Sequence, residues 1–150
     1  MADDDLAQNR IWIATYILSG KVKIELIKKL NAAHERGVEV RLLVDRIGSG
    51  LVINSADFNA LPFYTAIFHN SLFRSFFYME KRLHSKIIVI DDDDAFIGAH
   101  NLRDEVLEVN QNFVKNISLR FSGSVVKQLD AVFAGNHQTD DLIDSGYLLK

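Results

Sequence analysis

The stretch LHSKIIVIDDDDAFIGAHNL, residues 83–102, decides the fold of this sequence. Residues 83–90 are rich in β-branched and apolar side chains, and residues 95–99 form a second, shorter run of the same kind, which is typical of buried strands. The acidic segment 91–94 between them has the composition of a tight turn. The stretch therefore predicts a hairpin of two neighbouring antiparallel strands.

The first strand of this hairpin carries two polar side chains that point in the same direction. Side chains alternate between the faces of a strand, so His84 and Lys86 project to one side. A histidine and a lysine are costly to bury on an apolar strand without partners. We therefore expect them at an exposed end of the strand, facing an anion. Past the turn, Gly98 permits a close backbone approach and the Asn101 amide can donate to the same anion.

The sequence before the hairpin predicts a strand, a helix and a second strand. Residues 9–18 and 38–45 are apolar and β-branched, whereas residues 21–36 repeat apolar positions at a spacing of three or four. The predicted buried stripe of this helix consists of Ile24, Ile27, Leu30 and Ala33. A strand–helix–strand order predicts a parallel pair in an α/β sheet.

Local signals mark the ends of that helix and the loop that follows the second strand. Ser19 is a candidate N-cap and Gly37 a candidate stop after the last turn. The loop 47–50 follows the carboxyl end of the second strand, the side on which open α/β sheets bind ligands.

Further along the chain the patterns are shorter. We predict a helix over residues 57–61, a strand over 63–68, a strand over 113–121 and a helix over 125–133. The tail 137–150 is acidic and weakly patterned.

Composition bounds the class of protein. The chain has 150 residues, 48% of them hydrophobic, with 17 Lys+Arg against 20 Asp+Glu and no cysteine. These values exclude a disordered chain, a coiled coil and a disulfide scaffold, and predict one domain, 1–150, with its core over about residues 10–136. The acidic N-terminus is unlike a secretory signal and no apolar run reaches the ~20 residues of a membrane span. We expect a cytoplasmic protein, with peripheral contact at the inner membrane surface left open.

The motif residues have the spacing His-x-Lys-x4-Asp-x6-Gly-x-x-Asn, carried by His84, Lys86, Asp91, Gly98 and Asn101. This spacing resembles the HKD motif of the phospholipase D superfamily. The segments RIWIATYIL, AAHERGVEVRLLVDRIGSG and AFIGAHNLRDEVL resemble the N-terminal half of bacterial cardiolipin synthase-type proteins. The resemblance implies an α/β phospholipase D-like domain, a mixed central β-sheet flanked by helices.

The resemblance also implies a chemistry. In this superfamily one motif histidine, here His84, attacks phosphorus and forms a phosphohistidine, and the histidine of a second motif copy protonates the leaving oxygen. Lys86 and Asn101, with Gly98, would bind the nonbridging oxygens, and neither metal nor cofactor is implied. Asp91 counts among the motif's catalytic set, although the family's aspartate looks more structural, fixing the turn and bonding to backbone. Glu105 could orient a histidine.

Two departures from the pattern shape the prediction. Ala99 stands where the family usually has Gly or Ser, which is a small change. The chain carries a single motif copy, whereas the family's active site needs two. We therefore expect either a homodimer, as in the family's small endonuclease branch, or a second half outside this chain.

Three functional alternatives remain open from the sequence. The first is a phosphodiesterase or phosphatidyl transferase acting on phospholipid, and the second is a metal-independent homodimeric endonuclease. The third is a noncatalytic half that completes a partner. Basic residues outnumber acidic ones around the motif, which suits a phospholipid headgroup and a nucleic-acid backbone equally. These are Arg74, Lys81, Arg82 and Lys86, against Glu80.

Overall fold

The fold is built on a mixed β-sheet whose parallel centre is formed early in the chain. The structure, a computed structural model, describes residues 7–68, 83, 86–104, 117–134 and 147–149. Within these residues the sheet has seven strands in the order β6-β5-β4-β1-β2-β3-β7. The strands are β1 (Arg10–Thr15), β2 (Glu39–Asp45), β3 (Tyr64–Phe68), β4 (Ile87–Ile90), β5 (Asp94–Gly98), β6 (Ser118–Ser122) and β7 (Tyr147–Leu149).

The pairing of the strands confirms the two main sequence predictions. β1 and β2 are parallel, with Ile13 opposite Leu42, and helix α1 (Gly20–Glu35) connects them. β4 and β5 form the predicted antiparallel hairpin, with Ile88 opposite Phe96. β4 is also antiparallel to β1. The start of β4 therefore lies beside the carboxyl end of β1.

Helices cover both faces of the sheet. One hydrophobic cluster joins α1 to β1 and β2 and to two short helices, α2 (Gly50–Ile53) and α3 (Ala56–Asn59). The cluster on the opposite face includes residues of α4 (Val126–Ala134). The apolar residues of β4 alternate between the two clusters, as a strand covered on both sides requires.

The buried stripe of α1 is rotated from the predicted one. The buried side chains are Val22, Leu26, Leu30 and Ala33. Ile24 is 59% exposed, so its assignment to the core was wrong. Both stripes satisfy a helical spacing, and the local pattern could not distinguish which of the two faces the sheet.

The amino end of α1 is capped by a residue from a distant part of the chain. Ser19 occupies the N-cap position as predicted, but its side chain makes no capping hydrogen bond. The Val22 backbone N–H instead donates to Oδ1 of Asp104 at 3.0 Å. The backbone N–H groups of Val22 and Lys21 lower the pKa of Asp104. A carboxylate at this position also interacts favourably with the helix dipole.

Some predicted elements lie outside the described residues, and some observed elements were not predicted. The aromatic stretch 72–78, residues 113–116 of a predicted strand and Glu105 lie outside the described residues. The short helix α2 and the tail strand β7, which pairs antiparallel with β3, were not predicted. In the described part of the chain, no helix is long and apolar enough to cross a membrane.

Candidate active site

One row of residues crosses four neighbouring strands at a single end of the sheet. Thr15 ends β1, Lys86 immediately precedes β4, Gly98 ends β5 and Ser118 begins β6. The Gly98 N–H donates to the Lys86 carbonyl at 3.1 Å, and Gly98 pairs with Ser118 in the β5–β6 register. Continuing the β1–β4 register by one residue sets Thr15 beside Lys86. Because the four positions share a register, the side chains of Thr15, Lys86 and Ser118 lie on one face of the sheet.

This row opens into a small cavity of about 90 Å³. All four row residues line it, together with His100. The rest of its wall is largely apolar: Ala14, Ile87, Ile88, Phe96 and Leu102. A lysine in a mostly apolar wall attracts an anionic group through its positive charge. The cavity lies at the carboxyl ends of β1 and β2, the side of the sheet predicted to bind ligand.

Gly98 is held tightly against the next strand. A side chain at this position would collide with the Ser118 hydroxyl and its Cβ. The glycine therefore allows β5 and β6 to bring Lys86 and Ser118 to opposite sides of one narrow cavity.

His100 is a cavity residue that the sequence reasoning did not select. Its Nδ1 lies 2.9 Å from the Ser118 Oγ, and the ring lines the cavity with Lys86. The sequence contained a signal in retrospect, because His100 lies inside the motif, between Gly98 and Asn101.

The other motif residues are distributed around this cavity. Asn101 is not part of the cavity wall, and its Oδ1 is buried without a hydrogen bond to any residue that the structure describes. An unpaired buried acceptor is costly, so this amide is a candidate for a contact outside the described residues. His84 lies outside the described residues, between Leu83 and Lys86, which are described.

Asp91 lies at the opposite end of β4 from Lys86. Asp91 is five positions beyond Lys86 in extended chain, a span of about 17 Å. The Asp91 carboxylate accepts hydrogen bonds from the backbone N–H groups of Gln8, Asn9 and Arg10, at distances between 2.7 and 3.2 Å. Burial raises the pKa of Asp91, but these bonds and the Arg10 guanidinium outweigh it and leave the pKa lowered. The contacts favour the structural role implied for the motif aspartate over contact with a substrate beside Lys86.

A buried carboxylate at the end of β2 forms a hydrogen bond with Leu83, which precedes β4. Asp45, which is fully buried, accepts hydrogen bonds from the Ile47 and Gly48 N–H groups at 2.8 and 3.1 Å through Oδ1. Its Oδ2 accepts from the Leu83 N–H at 3.2 Å. Asp45 was not predicted as a site residue, because in the sequence it is indistinguishable from the polar end of a strand.

The loop between β2 and α2 forms hydrogen bonds with the segment that follows β1. The Ser49 hydroxyl donates to the Tyr16 carbonyl at 3.1 Å and accepts from the Leu18 N–H at 3.0 Å. Leu18 also forms a parallel bridge with Leu102, at the end of the motif. The loop predicted to face a ligand therefore forms hydrogen bonds with the backbone of a segment that adjoins the cavity.

Sequence comparison agrees with this fold, which is that of a phospholipase D-like domain. The family described as cardiolipin synthase, PLD-like domain, matches residues 5–136. The chain belongs to this family, which confirms the resemblance seen in the sequence.

Curated relatives are larger proteins of the same family. The chain is 31% identical over 142 residues to a cardiolipin synthase of Oceanobacillus iheyensis, a match covering 89% of this chain and 29% of the relative. It is 31% identical over 137 residues to cardiolipin synthase 2 of Bacillus cereus, covering 85% of this chain and 26% of that protein. The chain thus spans less than a third of the length of these relatives.

Solved structures share the fold at low sequence identity. Nuc of Salmonella typhimurium, a phospholipase D family member, superimposes with a TM-score of 0.63 at 16% identity, covering 89% of this chain and 81% of Nuc. NucT of Helicobacter pylori gives a TM-score of 0.67 at 14% identity, covering 89% of this chain and 82% of NucT. These similarities confirm the predicted mixed α/β fold.

Proposed function

We propose that this chain supplies one half of a phosphodiester-cleaving site that acts through a phosphohistidine on His84. The observation that carries the proposal is the cavity in which Lys86 and Gly98 meet at the end of the motif strand. A neutral imidazole is a competent nucleophile near neutral pH, and its unperturbed pKa of about 6.5 lets a second one act as the acid.

The proposed reaction has two displacements. A ring nitrogen of His84 attacks phosphorus, and the P–O bond to the leaving group breaks as a second histidine donates its proton to that oxygen. Water or an alcohol then attacks the phosphohistidine, gives its proton to the second histidine and releases His84. Lys86 would hold the nonbridging oxygens, where a fixed positive charge stabilises the transition state. The resemblance assigns the Asn101 amide to the same oxygens, which it would have to reach from outside the cavity wall.

The second histidine is proposed to come from another motif copy. The sequence has one His-x-Lys-x4-Asp arrangement, so a two-fold dimer or a separate half must provide the other. Nuc and NucT show that this fold also occurs in chains of similar size, since this chain covers 81% and 82% of their lengths, and a dimer of such chains is one proposed solution. The larger cardiolipin synthase relatives support the alternative of a second half.

Phospholipid is the substrate class that we favour. Relatives at 31% identity that span most of this chain are named cardiolipin synthases, whereas Nuc and NucT are similar in fold alone. Transfer of a phosphatidyl group or hydrolysis of a headgroup would both fit. A metal-independent endonuclease acting as a homodimer is the second candidate, favoured by the single motif copy, since the basic residues around the motif suit both substrate classes.

The catalytic test is hydrolysis of bis(p-nitrophenyl) phosphate in EDTA by the wild-type chain and by His84→Ala. We expect hydrolysis to persist in EDTA and to fall at least 100-fold in His84→Ala and Lys86→Ala. His34→Ala is the matched control, because His34 lies on α1 and packs against Phe63. Loss of activity in EDTA would refute the metal-independent reaction. Full activity in His84→Ala would refute the role of His84 as the nucleophile.

Separate measurements test the assembly and the substrate. Light scattering should show a dimer if the chain is active alone, and an active monomer would contradict the requirement for two motif copies. Release of headgroup from phosphatidylglycerol liposomes is expected, and nicking of plasmid without headgroup release would favour the endonuclease. A chain inactive on all three substrates, alone and with an added second half, would identify the noncatalytic alternative.

A further inference from the structure

We propose that His100 contacts the substrate, using Nε2 to bind an oxygen of the phosphoryl group held beside Lys86. This inference rests on the proposed function in one respect, namely that the cavity receives a phosphoryl group. It adds a second imidazole to the same half-site, distinct from the histidine expected from another motif copy.

The two ring nitrogens of His100 have different surroundings. Nδ1 is 2.9 Å from the Ser118 Oγ. No residue that the structure describes forms a hydrogen bond with Nε2. When the Ser118 hydroxyl donates to Nδ1, the neutral ring carries its proton on Nε2 and is a donor there.

The surroundings of His100 favour an anion as the partner of Nε2. The ring lines the cavity together with Lys86, and the neighbouring wall residues Ile88, Phe96 and Leu102 are apolar. A cavity lined by both a lysine and a histidine with a ring N–H to donate matches a tetrahedral oxyanion, which offers acceptors in several directions. The cavity of about 90 Å³ is large enough for one such group but not for a whole lipid or nucleotide.

Ser118 acts in this arrangement as a positioning residue for the ring. It begins β6 opposite Gly98, and β5 and β6 are continuously paired from there. The strand therefore fixes the backbone of Ser118, and the contact of its hydroxyl with Nδ1 orients the imidazole. A donor that is already oriented loses less entropy when the phosphoryl group binds.

Two substitutions separate a substrate contact from a merely structural role. In His100→Asn the amide lies near the position of Nδ1, so it keeps a partner for Ser118 but cannot reach the oxyanion. In His100→Gln the longer amide lies near the position of Nε2, so it keeps the donor for the oxyanion. Substrate contact predicts that Gln preserves binding better than Asn, and a structural role through Ser118 predicts the reverse order.

The experiment is a titration of the chain with inorganic phosphate, followed by heteronuclear NMR. We expect the His100 ring resonance to move on saturation, while that of His34 stays in place as the internal control. The dissociation constant, read from the Gly98 amide, should rise about 10-fold in His100→Asn and no more than about 3-fold in His100→Gln. Ser118→Ala keeps Nε2 but removes the contact that orients the ring, so we expect the dissociation constant for phosphate to rise about 3-fold.

Two results would overturn the inference. One is a His100 ring resonance that phosphate does not move. The other is an affinity that His100→Asn preserves and His100→Gln loses. Either of these, combined with loss of diester hydrolysis in His84→Ala, would reject the role of His100 and leave the proposed function standing. If His84→Ala remained active while His100 still bound phosphate, the proposed function would fail instead.

Discussion

Replacing Asp45 should destabilise the chain more than any exposed aspartate does, because its carboxylate is fully buried and accepts three backbone hydrogen bonds. Hydrogen bonds to a charged group contribute about 1.5–3 kcal/mol each. Water can replace two of them, since the Ile47 and Gly48 N–H groups are only partly buried. The Leu83 N–H is buried and would lose its acceptor. We therefore expect Asp45→Ala to lower the free energy of unfolding by about 3 kcal/mol.

Asp45→Asn separates the loss of an acceptor from the loss of the side chain. The amide retains one oxygen, but its NH₂ group must face either the turn or the Leu83 N–H, both of which donate. We expect a loss of about 1.5–2 kcal/mol for this variant, smaller than for alanine because the side chain still fills its space.

Urea unfolding followed by circular dichroism measures both values. With a urea dependence of about 2 kcal/mol per molar, Asp45→Ala should lower the midpoint by about 1.5 M. Asp93→Ala is the matched control, because Asp93 is an exposed residue of the β4–β5 turn and should change stability by no more than about 0.5 kcal/mol. Hydrogen exchange at the Leu83 amide should accelerate in both Asp45 variants. An Asp45→Ala chain as stable as Asp93→Ala, with unchanged exchange at Leu83, would refute the reasoning.

Three further perturbations test other contacts. Asp91→Ala should lower stability by about 1–2 kcal/mol in urea unfolding, since the three N–H groups that open β1 lose their acceptor but water can reach them; a change below about 0.3 kcal/mol would count against the contact. Gly98→Ala should abolish diester hydrolysis while the chain stays folded by circular dichroism, because the added methyl displaces Ser118; full activity would exclude that collision. Hydrogen bonds from the Arg120 and Ser122 side chains lower the pKa of Asp94 to about 2. The contribution of Asp94 to stability is therefore fully present above pH 3.8 and is lost as the pH falls towards 2. Arg120→Gln should therefore make urea stability fall less steeply over that range, and an unchanged pH profile would contradict the assignment.

The parts of the fold that could be predicted are those with local signals. The β1–α1–β2 unit and the β4–β5 hairpin follow from the period of apolar residues and from the acidic turn between two apolar runs. The register between neighbouring strands could not be predicted from such signals. It is the register that sets Thr15, Lys86, Gly98 and Ser118 in one row.

The contacts that the sequence could not reveal join residues far apart in the chain. Asp104 caps α1 from 82 residues away, while the nearby Ser19 had the local composition of a cap and makes no such bond. Asp45 reaches Leu83 across 38 residues. Local composition carries no information about which distant backbone group a carboxylate will meet. The same limit explains why His100 was passed over, since its partner Ser118 belongs to another strand.

The long reach of the Asp91 and Asp104 contacts also has a kinetic consequence. Both ends of the motif hairpin are fastened to the first strand and the first helix by carboxylates, at separations of 81 to 83 residues. Contacts between such distant residues form slowly, because a long loop must close before they stabilise anything. During synthesis the first strand and helix emerge well before the residues that secure them. We therefore expect the cavity to be among the last parts of the domain to form, with refolding monitored at the motif lagging behind refolding monitored at α1.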